Sequence, residues 1–135
     1  MKELTLMANK ENLNEVMGFI DQELEGLDCP LKKMMQVDVA VEEIFVNVAN
    51  YAYAPEVGPV TIQFEAAEDP ASVVITFIDQ GVPYNPLEKA DPDVTLSADE
   101  RQIGGLGIFM VKKSMDELAY EYKDKRNIFS LKKYL

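Results

Sequence analysis

The stretch from Asp38 to Tyr53, DVAVEEIFVNVANYAY, most constrains the fold of this chain. It contains neither proline nor glycine, and its apolar residues recur at steps of three and four, which predicts a buried helix. Glu43, Asn47 and Asn50 interrupt the apolar surface, and at about 100° per residue they lie within roughly 60° of one another. Such a stripe either faces solvent or directs polar groups into a site. Few positions of this helix suit water, which argues against a solvent-facing stripe, and the rest of the chain must decide between the two interpretations.

Length and composition limit the classes of function. A chain of 135 residues suits one domain, and we expect residues 1–135 to form it. The net charge of −11 argues against a nucleic-acid partner, because phosphate backbones bind clustered lysine and arginine. The sequence has no histidine, and Cys29 is its only cysteine, which excludes Ser-His-Asp chemistry, a disulfide within the chain and zinc bound by His or Cys. With no signal peptide and no membrane-spanning run, we expect a soluble, cytoplasmic protein that does not bind membranes.

The first part of the chain predicts one strand and two helices. Residues 3–7 alternate in polarity and suit an edge strand. A helix is expected to begin after Asn9 or Asn12 and to run to about Leu27, with Gly26 and Asp28 marking its end and Pro30 following. The second helix is expected to run from about residue 31 to 53.

The second part predicts four strands, a loop and a third helix. VTIQFEAA alternates, whereas SVVITFID is more continuously apolar and suits the centre of a sheet. A polar segment at residues 87–102 precedes a glycine run that opens an apolar helix, and LAYEY and NIFSLKKYL predict a hairpin turning at 123–126. We therefore expect an α+β fold, a two-layer α/β sandwich with a mostly antiparallel sheet and three helices on one face.

Two short motifs lie where predicted elements begin or end. Asp79-Gln80-Gly81 ends the central strand, and Gly104-Gly105-Leu106-Gly107 opens the third helix. Glycines at a helix start let its free N–H groups meet a phosphate, which the helix dipole also favours. Either motif alone is weak evidence, because aspartate and glycine are also common in ordinary turns. The glycine run matches neither a Walker loop nor a dinucleotide fingerprint.

A functional interpretation gives each polar residue a chemical role. Asp79 would accept a hydrogen bond from the exocyclic amine of a base, while Gly81 admits the ring. Asn47 would supply a neutral oxygen to Mg²⁺, which prefers oxygen donors and takes few from protein. Glu43, one turn earlier, would accept a proton from the attacking hydroxyl or water, or orient it.

The order of these motifs resembles that of the GHKL family of ATP-binding domains, which share the Bergerat fold. Glu43 and Asn47 resemble its N box, Asp79-Gln80-Gly81 its first glycine box and Gly105-Leu106-Gly107 its second. Residues 87–102 would form the lid over the nucleotide. Within the family the likeness is closest to anti-sigma-factor serine kinases of the RsbW and SpoIIAB type, and it covers essentially the whole chain.

The resemblance implies a set of ligands and roles. Asp79 would bind the adenine amine of ATP, Asn47 would bind Mg²⁺, and Glu43 would act as general base. The amides of Gly105 to Gly107 would hold the phosphates, and Arg101 would reach the γ-phosphate. The remaining candidate nucleotide-binding positions are Asn50, Gly81, Gly104 and Leu106.

Three positions depart from the family pattern. Pro83 stands where many relatives continue the first box with a second glycine, and it stiffens the loop. Tyr51 stands where the family has a histidine or a similar residue. Arg126-Asn127 stands where many relatives have Gly-Thr, so one contact on the adenine side loses its threonine hydroxyl.

The resemblance implies an ATP- and Mg²⁺-dependent serine/threonine-protein kinase that acts as an anti-sigma factor. It would phosphorylate a STAS-domain anti-anti-sigma protein, bind a sigma factor or similar regulator, and form a homodimer through an N-terminal edge strand. The alternative is an ATP- or ADP-binding interaction module with little or no kinase activity, against which Glu43 argues. A histidine-kinase catalytic domain is a weaker alternative, because such a domain is normally tethered to a phosphoacceptor helix.

Overall fold

A computed structural model describes residues 1–88 and 105–135 of the chain. Short 3₁₀ turns lie at Lys10–Asn12 and Pro86–Glu88. The helices and strands are, in chain order, β1 (Lys2–Met7), α1 (Leu13–Gly26), α2 (Leu31–Asn47), β2 (Pro59–Ala67), β3 (Ser72–Asp79), α3 (Gly105–Ser114), β4 (Glu117–Lys123) and β5 (Arg126–Tyr134).

The strands form one antiparallel sheet in the order β1-β2-β3-β5-β4. As predicted, the continuously apolar strand β3 is central and β1 lies at an edge. Along β3 every second residue is buried, from Val73 through Ile75 and Phe77 to Asp79. The inner face of the sheet therefore ends, at this strand, in a carboxylate.

The helices cover that inner face. In α1 the buried residues are Val16, Ile20 and Leu24, at the spacing expected of one helix face. Together with the buried residues of α2 and α3 they join the inner side chains of the strands in one hydrophobic cluster. The predicted α+β fold, a mostly antiparallel sheet packed with three helices, is thus confirmed.

The second helix differs from its prediction at its C-terminal end. Its α-helical part stops at Asn47, and Val48–Ala52 form a π turn. At the last residue of this turn, the backbone oxygen of Ala52 accepts a hydrogen bond from Val82 N (2.9 Å). The wider turn brings the end of the helix against the loop that follows β3. Sequence periodicity cannot show this, because the apolar spacing barely changes.

The loop after β3 meets this turn closely at Gly81. A Cβ atom at Gly81 would overlap the backbone carbonyl of Ala52. Tyr53 adds a second connection, since its hydroxyl accepts from Gln80 N (2.8 Å) and donates to Pro59 O (2.6 Å). Glycine at position 81 is therefore required by packing of backbone against backbone.

The C-terminal hairpin turns where the sequence predicts. Lys123 pairs with Arg126, and the two residues between them, Asp124 and Lys125, have φ angles of 54° and 62°. Positive φ at both central residues is the geometry of a tight two-residue hairpin. At the N-terminus, Asn9 Oδ1 caps the 3₁₀ turn by accepting from Glu11 N (3.0 Å), and α1 begins after Asn12.

No helix within residues 1–88 and 105–135 is long and apolar enough to cross a membrane.

Candidate functional site

A cleft lies between the C-terminal end of α2 and the ends of β3 and β5. It contains about 450 Å³ of space free of protein atoms, part of it open to solvent. Its walls are mostly apolar and aromatic, with a few polar groups. The lining residues are Ile44, Asn47, Val48, Tyr51, Ala52, Phe77, Asp79, Val82, Tyr84, Pro86, Tyr120, Asn127 and Phe129.

Asp79 is the buried acidic group of this cleft. Its residue is 6% exposed, because it is the last inward-facing position of the central strand. Oδ1 accepts one hydrogen bond from Gly81 N (2.9 Å) and one from Asn127 Nδ2 (2.9 Å). Two N–H donors on one oxygen stabilise a carboxylate that burial would otherwise disfavour.

Asn127 faces Asp79 across the β3–β5 ladder, where the two residues are direct partners. Its Nδ2 also donates to Val82 O (2.9 Å), and its Oδ1 accepts from Tyr84 N (3.2 Å) and from the hydroxyl of Tyr120. The sequence predicts at this position only the loss of a threonine hydroxyl and gives no place in the site to Asn127. The alternation of β5 puts it on the inner face, yet only the strand register shows that Asp79 is its partner.

Asn47 and Asn50 lie in different helical segments. Asn47 is the last residue of α2 and lines the cleft together with Asp79. Asn50 lies inside the π turn, half-buried, and is not one of the residues that line the cleft. The prediction that Asn50 lies on one stripe with Glu43 and Asn47 assumed a continuous α-helix. Because the π turn is wider, Asn50 points in a different direction. Tyr51 takes the lining position instead, with its ring centroid 6.5 Å from that of Tyr84.

Glu43 lies one turn before Asn47 and contacts the start of α3. A Cβ atom at Gly107 would overlap the carboxylate of Glu43. The two residues line a second depression with Val39, Glu42, Val46 and Met110. The fold thus brings the carboxylate to the first turn of a helix, where backbone N–H groups have no partner within the helix.

The glycine run is described only in part. Gly105 and Leu106 are the first two residues of α3, so the helix begins within this run as predicted. Gly104, Arg101 and the part of the predicted lid from residue 89 onward lie outside the described residues. The roles assigned to these positions stay predictions. So do the roles of the residues that line the cleft and the depression beside Gly107.

The acidic groups that the structure describes at this site do not form a metal site of their own. Among residues 1–88 and 105–135, no group of three or more His, Cys, Asp or Glu side chains is placed to hold a metal ion. Asn47 on the cleft and Glu43 one turn away each offer an oxygen donor. A hard cation at this point would need further ligands from a bound anion or water.

The sequence matches one protein family and is similar to several named proteins. Residues 6–133 match the family described as "Histidine kinase-like ATPase domain". An anti-sigma F factor from Caldanaerobacter subterraneus subsp. tengcongensis is 25% identical over 121 residues, which are 90% of this chain and 83% of that protein. Serine-protein kinase RsbW from Staphylococcus aureus is 33% identical over 101 residues, covering 72% of this chain and 63% of its own length.

A solved structure shows the same fold. The crystal structure of the RsbU and RsbW domains of a Mycobacterium tuberculosis protein superposes with a TM-score of 0.67 at 16% sequence identity. The match covers 100% of this chain and 33% of that chain. At this identity the likeness supports the fold and leaves the chemistry to be argued from the residues of the cleft.

Proposed function

Because this chain belongs to the family of histidine kinase-like ATPase domains, we propose that it is an ATP- and Mg²⁺-dependent serine/threonine-protein kinase. Its substrate would be a STAS-type anti-anti-sigma protein, and it would bind a sigma factor as an anti-sigma factor. The observation that carries the proposal is the buried carboxylate of Asp79, held on one oxygen at the inner wall of an apolar cleft.

The lining of the cleft would suit an adenine base. Apolar and aromatic side chains such as Phe77 and Phe129 offer surface to a flat ring, and Tyr51 and Tyr84 stand among the same lining residues. The described hydrogen bonds of Asp79 both reach Oδ1. Its other oxygen, Oδ2, would accept from the exocyclic amine of the base.

The start of α3 fits the phosphates. The helix begins at Gly105, so the N–H groups of Gly105 to Gly107 lie in its first turn, where partners must come from outside the helix. Gly104 and Arg101 precede this turn in the sequence, and we keep the proposal that they contribute to phosphate binding. Phosphoryl transfer depends mainly on positioning and charge neutralisation, for which such a set of groups suffices.

Asn47 and Glu43 fit the proposed magnesium ion and general base. Asn47 supplies an amide oxygen on the cleft, and Mg²⁺ would take its other ligands from phosphate and water. When bound, this ion neutralises charge on the phosphates. Glu43 lies one turn away beside Gly107, and from there its carboxylate would accept the proton of a serine or threonine hydroxyl.

The partners are proposed from the relatives. Proteins named anti-sigma F factor and serine-protein kinase RsbW are similar to this chain. The names of these relatives support a kinase that regulates a sigma factor, and the fold is compatible with that role. The alternative is a module that binds ATP or ADP and sequesters a partner without phosphorylating it.

The test separates binding from transfer. ATP binding would be measured with and without Mg²⁺ for the native chain, Glu43→Gln and Asn47→Ala, followed by incubation of each with [γ-³²P]ATP and a candidate STAS protein. We expect Asn47→Ala to remove the Mg²⁺ dependence of binding, and Glu43→Gln to bind ATP but transfer phosphate at least about 100-fold more slowly. Glu42→Gln removes the exposed neighbouring carboxylate and is the matched control.

Each outcome decides between the two functions. Label on the partner that depends on Glu43 supports the kinase. If ATP binds and no partner is labelled, the binding module replaces it. If the native chain does not bind ATP, both are wrong.

A further inference from the structure

Asn127 uses its whole hydrogen-bonding capacity within the protein. An asparagine amide has two N–H donors and an oxygen with two lone pairs. Nδ2 donates to Asp79 Oδ1 (2.9 Å) and Val82 O (2.9 Å), and Gly81 O lies at 3.5 Å. Oδ1 accepts from Tyr84 N (3.2 Å) and from the Tyr120 hydroxyl. No donor or acceptor of this side chain is left for a ligand.

The partners of Asn127 also fix the orientation of its amide. Carbonyl oxygens and a carboxylate can only accept, and a backbone N–H can only donate. Rotating the amide by 180° would set its oxygen against Asp79 Oδ1 and Val82 O, and would turn its N–H₂ group towards Tyr84 N. Asparagine is therefore specified here, because aspartate has no donor and threonine has only one.

The fixed amide of Asn127 in turn determines the orientation of the Asp79 carboxylate. Gly81 N and Asn127 Nδ2 both bond to Oδ1, which fixes the rotation of the carboxylate about its last bond. The described residues give no hydrogen bond to Oδ2, so that oxygen is the one presented to a ligand. At 6% exposure the residue has little surrounding water that could replace either donor.

Asn127 also fixes the loop that passes over this carboxylate. Its amide joins Val82 and Tyr84, two residues of the loop, to the start of β5. Val82 and Tyr84 both line the cleft. One side chain therefore sets both the direction of the acceptor and the position of the adjacent wall.

We propose that Asn127 is a positioning residue that holds Asp79 in the orientation selecting nucleotides whose base carries an exocyclic amine. The inference rests on the proposed function, because it assumes that the cleft binds a purine nucleotide. It adds a selectivity role, exerted through Asp79, to a position that departs from the family pattern. A base with a carbonyl in place of the amine would face the fixed lone pair of Oδ2 and be rejected.

The experiment measures base selectivity as well as affinity. Dissociation constants for ATP and for inosine triphosphate, which has a carbonyl in place of the amine, would be measured by calorimetry for the native chain, Asn127→Leu, Asp79→Asn and the double variant. We expect Asn127→Leu to lower the preference for ATP by about tenfold, the scale of one hydrogen bond to a charged group. In the Asp79→Asn background the same change should leave the preference unaltered, because the carboxylate is already lost.

A control variant on the same strands tests for a merely structural role. Thr76 and Ser130 share a hydrogen bond (3.2 Å) between β3 and β5, and Thr76 and Ser130 are cross-strand partners three residues from the Asp79–Asn127 pair. Thr76→Val removes that bond and should leave the preference for ATP unchanged. If Asn127 only stabilised the fold, Asn127→Leu would weaken both nucleotides equally.

The experiment distinguishes an error in this inference from an error in the proposed function. A native chain that binds neither nucleotide contradicts the function itself. A native chain that prefers ATP, with the same preference in Asn127→Leu, contradicts only the role of Asn127. Should Asn127→Leu not fold, Tyr120→Phe decides, since it removes the hydroxyl that donates to Asn127 Oδ1 and accepts from Tyr84 N (3.2 Å): a reduced preference supports the proposal and an unchanged one overturns it.

Discussion

The carboxylate of Glu43 packs against Gly107, the third residue of α3, so closely that any side chain at position 107 would overlap it. The two residues are 64 positions apart in the sequence (107 − 43). Contact between them places the proposed general base at the start of the helix proposed to hold the phosphates.

Gly107→Ala should separate stability from activity. Alanine favours a helix by up to about 1 kcal/mol over glycine, and the group it would displace is the end of a flexible side chain. We therefore expect the free energy of unfolding to stay level or rise, while phosphoryl transfer falls at least about tenfold because Glu43 is displaced. Denaturant unfolding and a transfer assay measure the two effects.

The control for that variant is Gly18→Ala in α1, where no atom lies within 4 Å of the added Cβ. It should gain helix stability and keep full transfer. Unimpaired transfer by Gly107→Ala would show that the position of the Glu43 carboxylate does not matter.

Gly81→Ala should destabilise the fold. The added Cβ would meet the backbone of Ala52 rather than a movable side chain, so the loop or the π turn must shift. Overpacking of this kind costs about 1–3 kcal/mol, and the hydrogen bond from Val82 N to Ala52 O (2.9 Å) would be strained. Urea unfolding measures the loss, with Gly26→Ala, where the Cβ meets nothing within 4 Å, as the control.

Tyr53→Phe should weaken the connection between the end of α2 and the strand ends. The hydroxyl accepts from Gln80 N (2.8 Å) and donates to Pro59 O (2.6 Å), and its burial raises the pKa of Tyr53. Removing it leaves two backbone groups without this partner, which should cost about 1–3 kcal/mol of unfolding free energy. Tyr122→Phe, at an exposed tyrosine, should change stability by less than about 0.5 kcal/mol.

The stability of the α1–α2 contact should depend on pH through Asp38. Burial first, and then the hydrogen bond and charge of Asp21, raise the pKa of Asp38 to about 7, with Glu42 adding further repulsion. Asp21 Oδ1 and Asp38 Oδ1 are both buried without a hydrogen-bond partner, so a proton held by the pair relieves repulsion between them. The other titratable or charged groups near Asp38 are Cys29, Lys33 and Lys133.

The sign of the effect follows from proton binding. Between the ordinary pKa of 3.8 and about 7, the folded state holds a proton that the unfolded state has lost, so the contribution of Asp38 to stability falls as pH rises through that range. Asp38→Asn should therefore raise the melting temperature at pH 8 and change it little near pH 4. Glu25→Gln, at an exposed carboxylate of α1, controls for loss of one negative charge; equal gains in both variants would contradict the prediction.

Much of the fold could be predicted because its signals are local. The four-residue spacing of Glu43 and Asn47, the alternation of the strands and the glycine run before α3 each act within one element. The prediction that Asn50 shares one polar stripe with Glu43 and Asn47 assumed an α-helix throughout. The apolar spacing of three and four residues looks the same whether the last turn is α or π, so the π turn could not be predicted. The chain from residue 89 to 104 lies outside the described residues, so the lid and Arg101 stay predictions.

The sequence alone determined which residues form helices and strands, which faces are apolar, and which residue types are available for nucleotide chemistry, because these follow from periodicity and side-chain chemistry. Only the tertiary structure decided that Asn127 meets Asp79 and that Glu43 meets Gly107. These contacts join residues 48 and 64 positions apart, and they depend on strand register and helix packing. A shift of one residue in that register would turn Asn127 to the other face of the sheet.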